Sequence, residues 1–306
     1  MGGQTCLPVR TLEKAAQTAV SWVTLNLARF QPFVAGQLTA DGIKALSELA
    51  ILYSVLKDRS RAGRDSWIEN AIPTWRSFLI EQCETPKYAQ MSRKRPGQAF
   101  YLLMPYLCLR RSGYRTPYYE QTLRLLKRWR YPGAIEVVPH RLLDRHYFLW
   151  KAGLKLAPKW SHHYRATSLP HMTHPQYLDD DAAYVFTHTL FYLTDFGRHR
   201  PALEQRDLQH LSRLGEYLSI HSWRLRLWDI LGELLIGLCG LERQRSRLFI
   251  DAANAFRGAQ NEDGSIPPND EALPLNTSDD PEASSFRHRY HTTLVMALFA
   301  LALIDR

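Results

Sequence analysis

The sequence predicts an all-α fold, and three observations carry that prediction. Apolar residues recur at three- and four-residue spacing through most of the 306-residue chain. Alternation of the period-two kind, with β-branched residues, is hard to find anywhere. Segments apolar on one face alternate along the chain with segments apolar on most sides. A helix that is apolar all round has to be enclosed, whereas a one-sided helix covers it. The alternation therefore points to an α/α toroid of about six inner and six outer helices, in a single domain over 1–306.

Taken in order, the chain opens with an outer helix near 10–30 and an inner one near 41–57. The pattern repeats as outer 64–84 and inner 96–111, then outer 116–130 and inner 138–151, the last opened by Pro139, whose fixed φ suits a first helical turn. Next come outer 155–168 and inner 179–196, outer 203–221 and inner 223–241, and finally outer 244–259 and inner 286–304. The stretches 161–176 and 261–285 concentrate Pro, Ser, Asn and Asp, which favour turns, and the second is long enough to serve as a lid.

Composition narrows the function. Hydrophobic residues at 45% and charged residues at 23% are ordinary for a globular chain, so folding is expected throughout. The net charge of +9 gathers partly in Arg93-Lys94-Arg95 and in Arg124 to Arg130, which read as solvated helix faces or as attraction for an anionic group such as a diphosphate. Neither run joins a nucleic-acid-binding motif, so no nucleic-acid partner is expected. Cys6, Cys83, Cys108 and Cys239 form no CxxC pair, and the first residues lack a signal-peptide run. A cytoplasmic location is expected. The most apolar segments, 223–241 and 290–304, are too interrupted or short to span a bilayer.

The chemistry sits in polar residues set into the enclosed helices. In "DDDAAYVFTHTLFYLTDFG", residues 179–197, Asp181, His188 and Asp195 recur every seven residues. That spacing displaces them about 20° around the axis and about 10.5 Å along it, so they line one face at different depths. Tyr184 and Phe191 fall between them on the same stripe. In "WDILGELLIGL", Asp229 and Glu233 are four apart on an apolar helix that also carries Trp228. Two close carboxylates in such surroundings push one proton affinity upward, which makes the pair the best general-acid candidate. "PHRLLDRHYFLW" places His140, Arg141 and Asp144 where an acid can orient a histidine, and "RHRYHTTLVMALFALAL" opens the last helix with Tyr290 and His291.

The expected catalytic set is therefore Asp179, Asp181, His188, Asp195, Asp229 and Glu233. The expected substrate-binding set is His140, Arg141, Asp144, Tyr184, Phe191, Tyr192, Trp228, Tyr290 and His291. Of these, Asp181, His188, Asp229, Glu233 and His291 are expected to share a central region, because isolated polar groups in enclosed helices are costly without partners. No HExxH, phosphate-loop, dinucleotide or nucleophile-elbow motif is present, so no cofactor is expected and a catalytic metal is not favoured.

"PHRLLD", "THTLFYLTDFG", "WDILGELL" and "RYHTTLVMALFALAL" together resemble an uncharacterised bacterial family, a domain of unknown function, over nearly the whole chain. The resemblance implies a place in specialised metabolism but no activity. "AQNEDGSIP" is similar to the Q-x-x-D-G-S turn of the terpenoid-cyclase and protein-prenyltransferase toroids, and "RYHTTLVMALFAL" to the Y-H-T start of a prenyltransferase final helix. That likeness implies a zinc ligand at His291, yet the accompanying Asp-x-Cys is missing, since Ile230 and Leu231 follow Asp229. Asp179-Asp180-Asp181-Ala182 matches the D-x-D-D acid motif only in part, with Leu178 before it.

The leading expectation is acid/base chemistry on a small, largely apolar or isoprenoid-like substrate, as a cyclisation, isomerisation or lyase-type reaction. Asp179 and Asp181, or the Asp229/Glu233 pair, would supply the proton. His188 would accept one, and Tyr184, Phe191, Tyr192 and Trp228 would wall the pocket. Two further readings stand beside it: a non-catalytic protein holding a peptide, lipid or partner subunit, and a carbohydrate-active enzyme using paired carboxylates.

Overall fold

The structure is a computed structural model, and it describes residues 7–60, 66–174, 178–270 and 280–304. The fold is all-α, with one short hairpin among the described residues. Where a single domain is expected, the chain groups into two compact units: residues up to Val23 together with Lys159 onward, and Thr24–Pro158.

Leaving α1, Val9–Leu25, and a 3-10 turn at Leu27–Phe30, the chain makes the hairpin of β1 (Phe33–Val34) and β2 (Gln37–Leu38). Ala35 and Gly36 form its two-residue turn at φ +48 and +74, the backbone that matches the twist of paired strands. Then come α2 (Ala40–Ser60), α3 (Ser66–Glu84), α4 (Pro86–Lys94), α5 (Ala99–Arg111), α6 (Pro117–Arg128), α7 (Tyr131–Ala134) and α8 (Pro139–Lys151). The core of the Thr24–Pro158 unit is α5, buried from Leu102 to Leu109 and packed against α2, α3, α4 and α8. Its polar ends are met where they enter the core. Glu120 accepts hydrogen bonds from Tyr106 Oη and Arg110 Nε, both at 2.7 Å, and Trp75 Nε1 donates to Thr24 Oγ1 at 2.9 Å.

In the other unit, α9 (Trp160–Ala166) and a 3-10 turn at Leu169–His171 occupy most of the stretch expected to be loop. They are followed by α10 (Asp180–Leu193), α11 (Gln205–Arg224), α12 (Trp228–Gly240), α13 (Arg247–Gly258) and α14 (Pro281–Ile304). At the centre is α12, packed on α10, α11, α13 and α14. Its glycines permit that crowding. A Cβ on Gly232 would run into the Phe256 ring of α13 and into Val295 of α14. The turn after α13 is fixed from within the same unit: Gln260 Nε2 donates to Ala15 O at 3.1 Å, and Ile266 N donates to Thr293 Oγ1 at 3.0 Å. The expected loop 261–285 is shorter than its composition suggests, since α14 starts at Pro281; the part over 271–279 lies outside the described residues. Among the described residues, no helix is long and apolar enough to cross a membrane.

Candidate functional site

Three helices of the α12-centred unit bring His188, Asp229, Glu233 and His291 together. Glu233 projects from α12 and is buried, while His188 on α10, Asp229 one turn earlier on α12 and His291 on α14 are each half-buried around it. His291 Nε2 lies 3.2 Å from Glu233 Oε1. Burial alone would raise the Glu233 carboxyl. It is outweighed by the hydrogen bond from His291, the charges of His188 and His291 and the Thr187 hydroxyl, and the carboxyl is brought down to about 2. Asp229 moves the other way: burial raises it and the charge of Glu233 adds to the rise, against the Ile230 backbone N–H, 2.8 Å from its Oδ1, and the charge of His291.

His188 is held by its own helix. Its Nδ1 lies 3.0 Å from Tyr184 O and 3.2 Å from Thr187 Oγ1, and since a carbonyl only accepts, a proton on Nδ1 satisfies the first contact and leaves Nε2 for other partners. The Tyr184 ring lies against the imidazole, tilted by 32° with centroids 3.8 Å apart, and Phe191 lies at 5.8 Å, tilted by 47°. A half-exposed aromatic, an imidazole and a buried aromatic thus follow one another along α10, as the four- and three-residue spacing dictates.

Asp181, expected in the same region, and Asp179, expected with it among the catalytic acids, sit elsewhere. Asp179 is the exposed N-cap of α10 and accepts from Ala182 N at 2.8 Å. Asp181 is exposed in the first turn, where a carboxylate is favoured by the unsatisfied N–H groups and the helix dipole. Asp195 lies beyond the C-terminus of α10, because the helix stops at Leu193 and Asp195, Phe196 and Gly197 all take left-handed backbone. Its carboxylate is 3.6 Å from Arg198 Nη1 and 3.7 Å from His199 Nε2, a local pairing.

The aromatic residues divide. Tyr192 packs edge-on against Phe196, and Tyr290 stacks on Phe286 at 5.2 Å, both within the core. Trp228 is fixed by Asp270, which sequence reasoning missed: Trp228 Nε1 donates to Asp270 Oδ1 at 2.6 Å, and Arg226 pairs with the other oxygen. Pro268 O accepts from Trp228 N at 2.6 Å and from Asp229 N at 3.2 Å, capping the start of α12. No periodicity links an Asp in a proline-rich loop to a helix forty residues earlier. Thr187 was missed too, although it adjoins His188 in the "THTL" motif.

His140, Arg141 and Asp144 belong to the other unit, on α8. The expected acid–histidine orientation is replaced by an acid–arginine pair: Asp144 Oδ2 accepts from Arg141 Nη1 at 3.3 Å. Among the described residues no donor meets Oδ1. Burial raises the Asp144 carboxyl to about 7 in spite of Arg141 and Arg145. Arg145 turns to the Tyr131 and Phe100 rings, 5.4 and 5.9 Å from their centroids. Burial and the Arg141 charge press His140 down to about 4, so it is neutral at physiological pH.

Among the described residues, no group of three or more His, Cys, Asp or Glu side chains is disposed to hold a metal ion. A family model described as DUF6895, a domain of unknown function, matches residues 16–301. No curated protein and no solved structure is significantly similar to the chain.

Proposed function

We propose that this chain, which belongs to the DUF6895 family, is an enzyme that moves protons on a largely apolar, isoprenoid-like substrate at the rim formed by His188, Asp229 and His291. The observation that supports this most is the opposed shift of two carboxyl groups one helical turn apart, Asp229 raised and Glu233 lowered, beside two imidazoles. Environments that separate the proton affinities of neighbouring acids divide the labour between a donor and a charged partner. Asp229 is the donor. Glu233 stays ionised and holds His291 in place. His188 or His291, in its neutral form, accepts the returning proton, and solvent returns a proton to Asp229 before the next turnover. The exposed face of Tyr184, away from His188, stabilises positive charge developing on the substrate, as an isomerisation or cyclisation requires.

Incubation in D2O with a panel of isoprenoid alcohols, diphosphates and hydrocarbons, read by gas chromatography and mass spectrometry, tests the reading. We expect a rearranged product carrying deuterium, absent with Asp229→Asn and with His291→Gln. Absence of deuterated product across the panel with folded wild-type protein, or equal product from the two variants, would overturn it.

A further inference from the structure

The outer face of α11 carries side chains that the core of its unit does not use. Leu208, Leu211, Leu214 and Leu218 are buried on the inner side. On the opposite side, at 3.6 residues per turn, Arg206, Arg213, Tyr217, Ile220 and Arg224 fall within about 60° of one another. All five are exposed, and Leu225 follows at the helix end. Tyr217 and Ile220, three residues apart and neighbours on this stripe, have relative exposures of 55 and 40%.

The charge on this stripe has one sign. No carboxylate among the described residues pairs with Arg206, Arg213 or Arg224, and the nearby Glu216 is engaged by Arg243 at 2.6 Å. The basic run at Arg93 behaves differently: its guanidinium donates to Thr122 Oγ1, Tyr118 O and Gln121 Oε1 and lies over the Tyr118 ring. Arg93 is structural, whereas the α11 cations face solvent.

We infer that the outer face of α11 docks the protein on an anionic lipid bilayer. Arginines pair with lipid phosphates, tyrosine sits at the headgroup level, and Ile220 reaches the acyl boundary. Both halves of the stripe are then used. A nucleic-acid backbone would engage the arginines and leave Ile220 against water, and a two-fold pairing of two copies through this face would oppose like charges. The inference stands apart from the proposed chemistry, although a bilayer is where an apolar substrate would be met.

Co-flotation of the full chain with phosphatidylcholine vesicles, with and without about one third phosphatidylglycerol, is the test. We expect flotation only with the anionic vesicles, weakened by raised salt as a screened attraction must be. In the double variant Arg213→Glu/Arg224→Glu, partitioning should fall about thirtyfold or more through the loss of two basic anchors. Tyr217→Ser/Ile220→Ser should weaken it without changing its salt dependence. All four positions are exposed, so circular dichroism and melting temperature should match wild type in both variants. Failure of wild type to float, equal flotation with neutral vesicles, or undiminished binding by the charge-reversed variant would each overturn the inference. So would binding to single-stranded DNA in place of vesicles.

Discussion

Asp144 on α8 and Glu233 on α12 are both buried carboxylates with two cationic or protonatable neighbours, yet their proton affinities part in opposite directions, to about 7 and about 2. Nearness of positive charge does not separate them, and both have hydrogen-bond donors; the balance of those donors against burial does. Glu233 meets His291 at 3.2 Å and the Thr187 hydroxyl, while Asp144 meets Arg141 at 3.3 Å and the Arg145 backbone N–H, which do not offset its burial. The Arg145 guanidinium lies over aromatic faces and donates to Ile135 O at 3.4 Å, and its charge and backbone N–H only partly support the Asp144 anion. A buried charge survives when its lone pairs are satisfied, and is otherwise relieved by a proton. A site that needs a fixed anion can therefore use α12, whereas α8 offers an acid that is half protonated near neutrality.

The largest effect that would break the comparison is at Glu233. Its carboxyl is held below the ordinary 4.5, so the stability it contributes is fully present above 4.5 and is lost as pH falls towards 2. Glu233→Gln should cost about 3–5 kcal/mol at pH 7, as removal of one member of a buried pair does. The gap to wild type should shrink as pH falls. Urea unfolding at pH 7 and near pH 3 measures it, and a cost independent of pH would place the effect in packing.

Asp144 should give the opposite slope. Held above the ordinary 3.8, it favours the folded state at low pH and costs stability as pH rises from 3.8 to about 7. Asp144→Asn, which does not titrate, should therefore gain about 2–3 kcal/mol on wild type between pH 5 and pH 8. Equal pH dependence in the two proteins would show that Asp144 is ionised and satisfied, and the contrast with Glu233 would vanish.

The fold was legible because long helices write a 3.6-residue period into the chain, and every expected helical segment has a counterpart in the structure. The elements not anticipated are short. Helices α4 and α7, of nine and four residues, and the two-residue strands carry too little pattern to read. At the site, Asp229, Glu233, His188 and His291 stood out as polar groups in apolar helices. Asp181 and Asp195 misled for a geometric reason: a seven-residue stripe keeps its direction while moving about 10.5 Å along the axis at each step. It begins at an exposed first turn, passes through the site at His188 and ends beyond the helix.

The smallest effect separates a cap from an acid. Asp179 accepts from Ala182 N at the start of α10, and this is all that its position requires. Asparagine offers the same carbonyl acceptor, so Asp179→Asn should leave the melting temperature near wild type, while Asp179→Ala, which loses the acceptor, should cost about 1 kcal/mol. A proton donor would show the reverse order, because asparagine removes the exchangeable proton and keeps the shape. Melting temperature and deuterium incorporation measured on the same preparations distinguish the two. Loss of incorporation in a stable Asp179→Asn protein would return the first acid of α10 to the chemistry, and retention would leave Asp229 as the carboxylic acid that the proposed reaction uses.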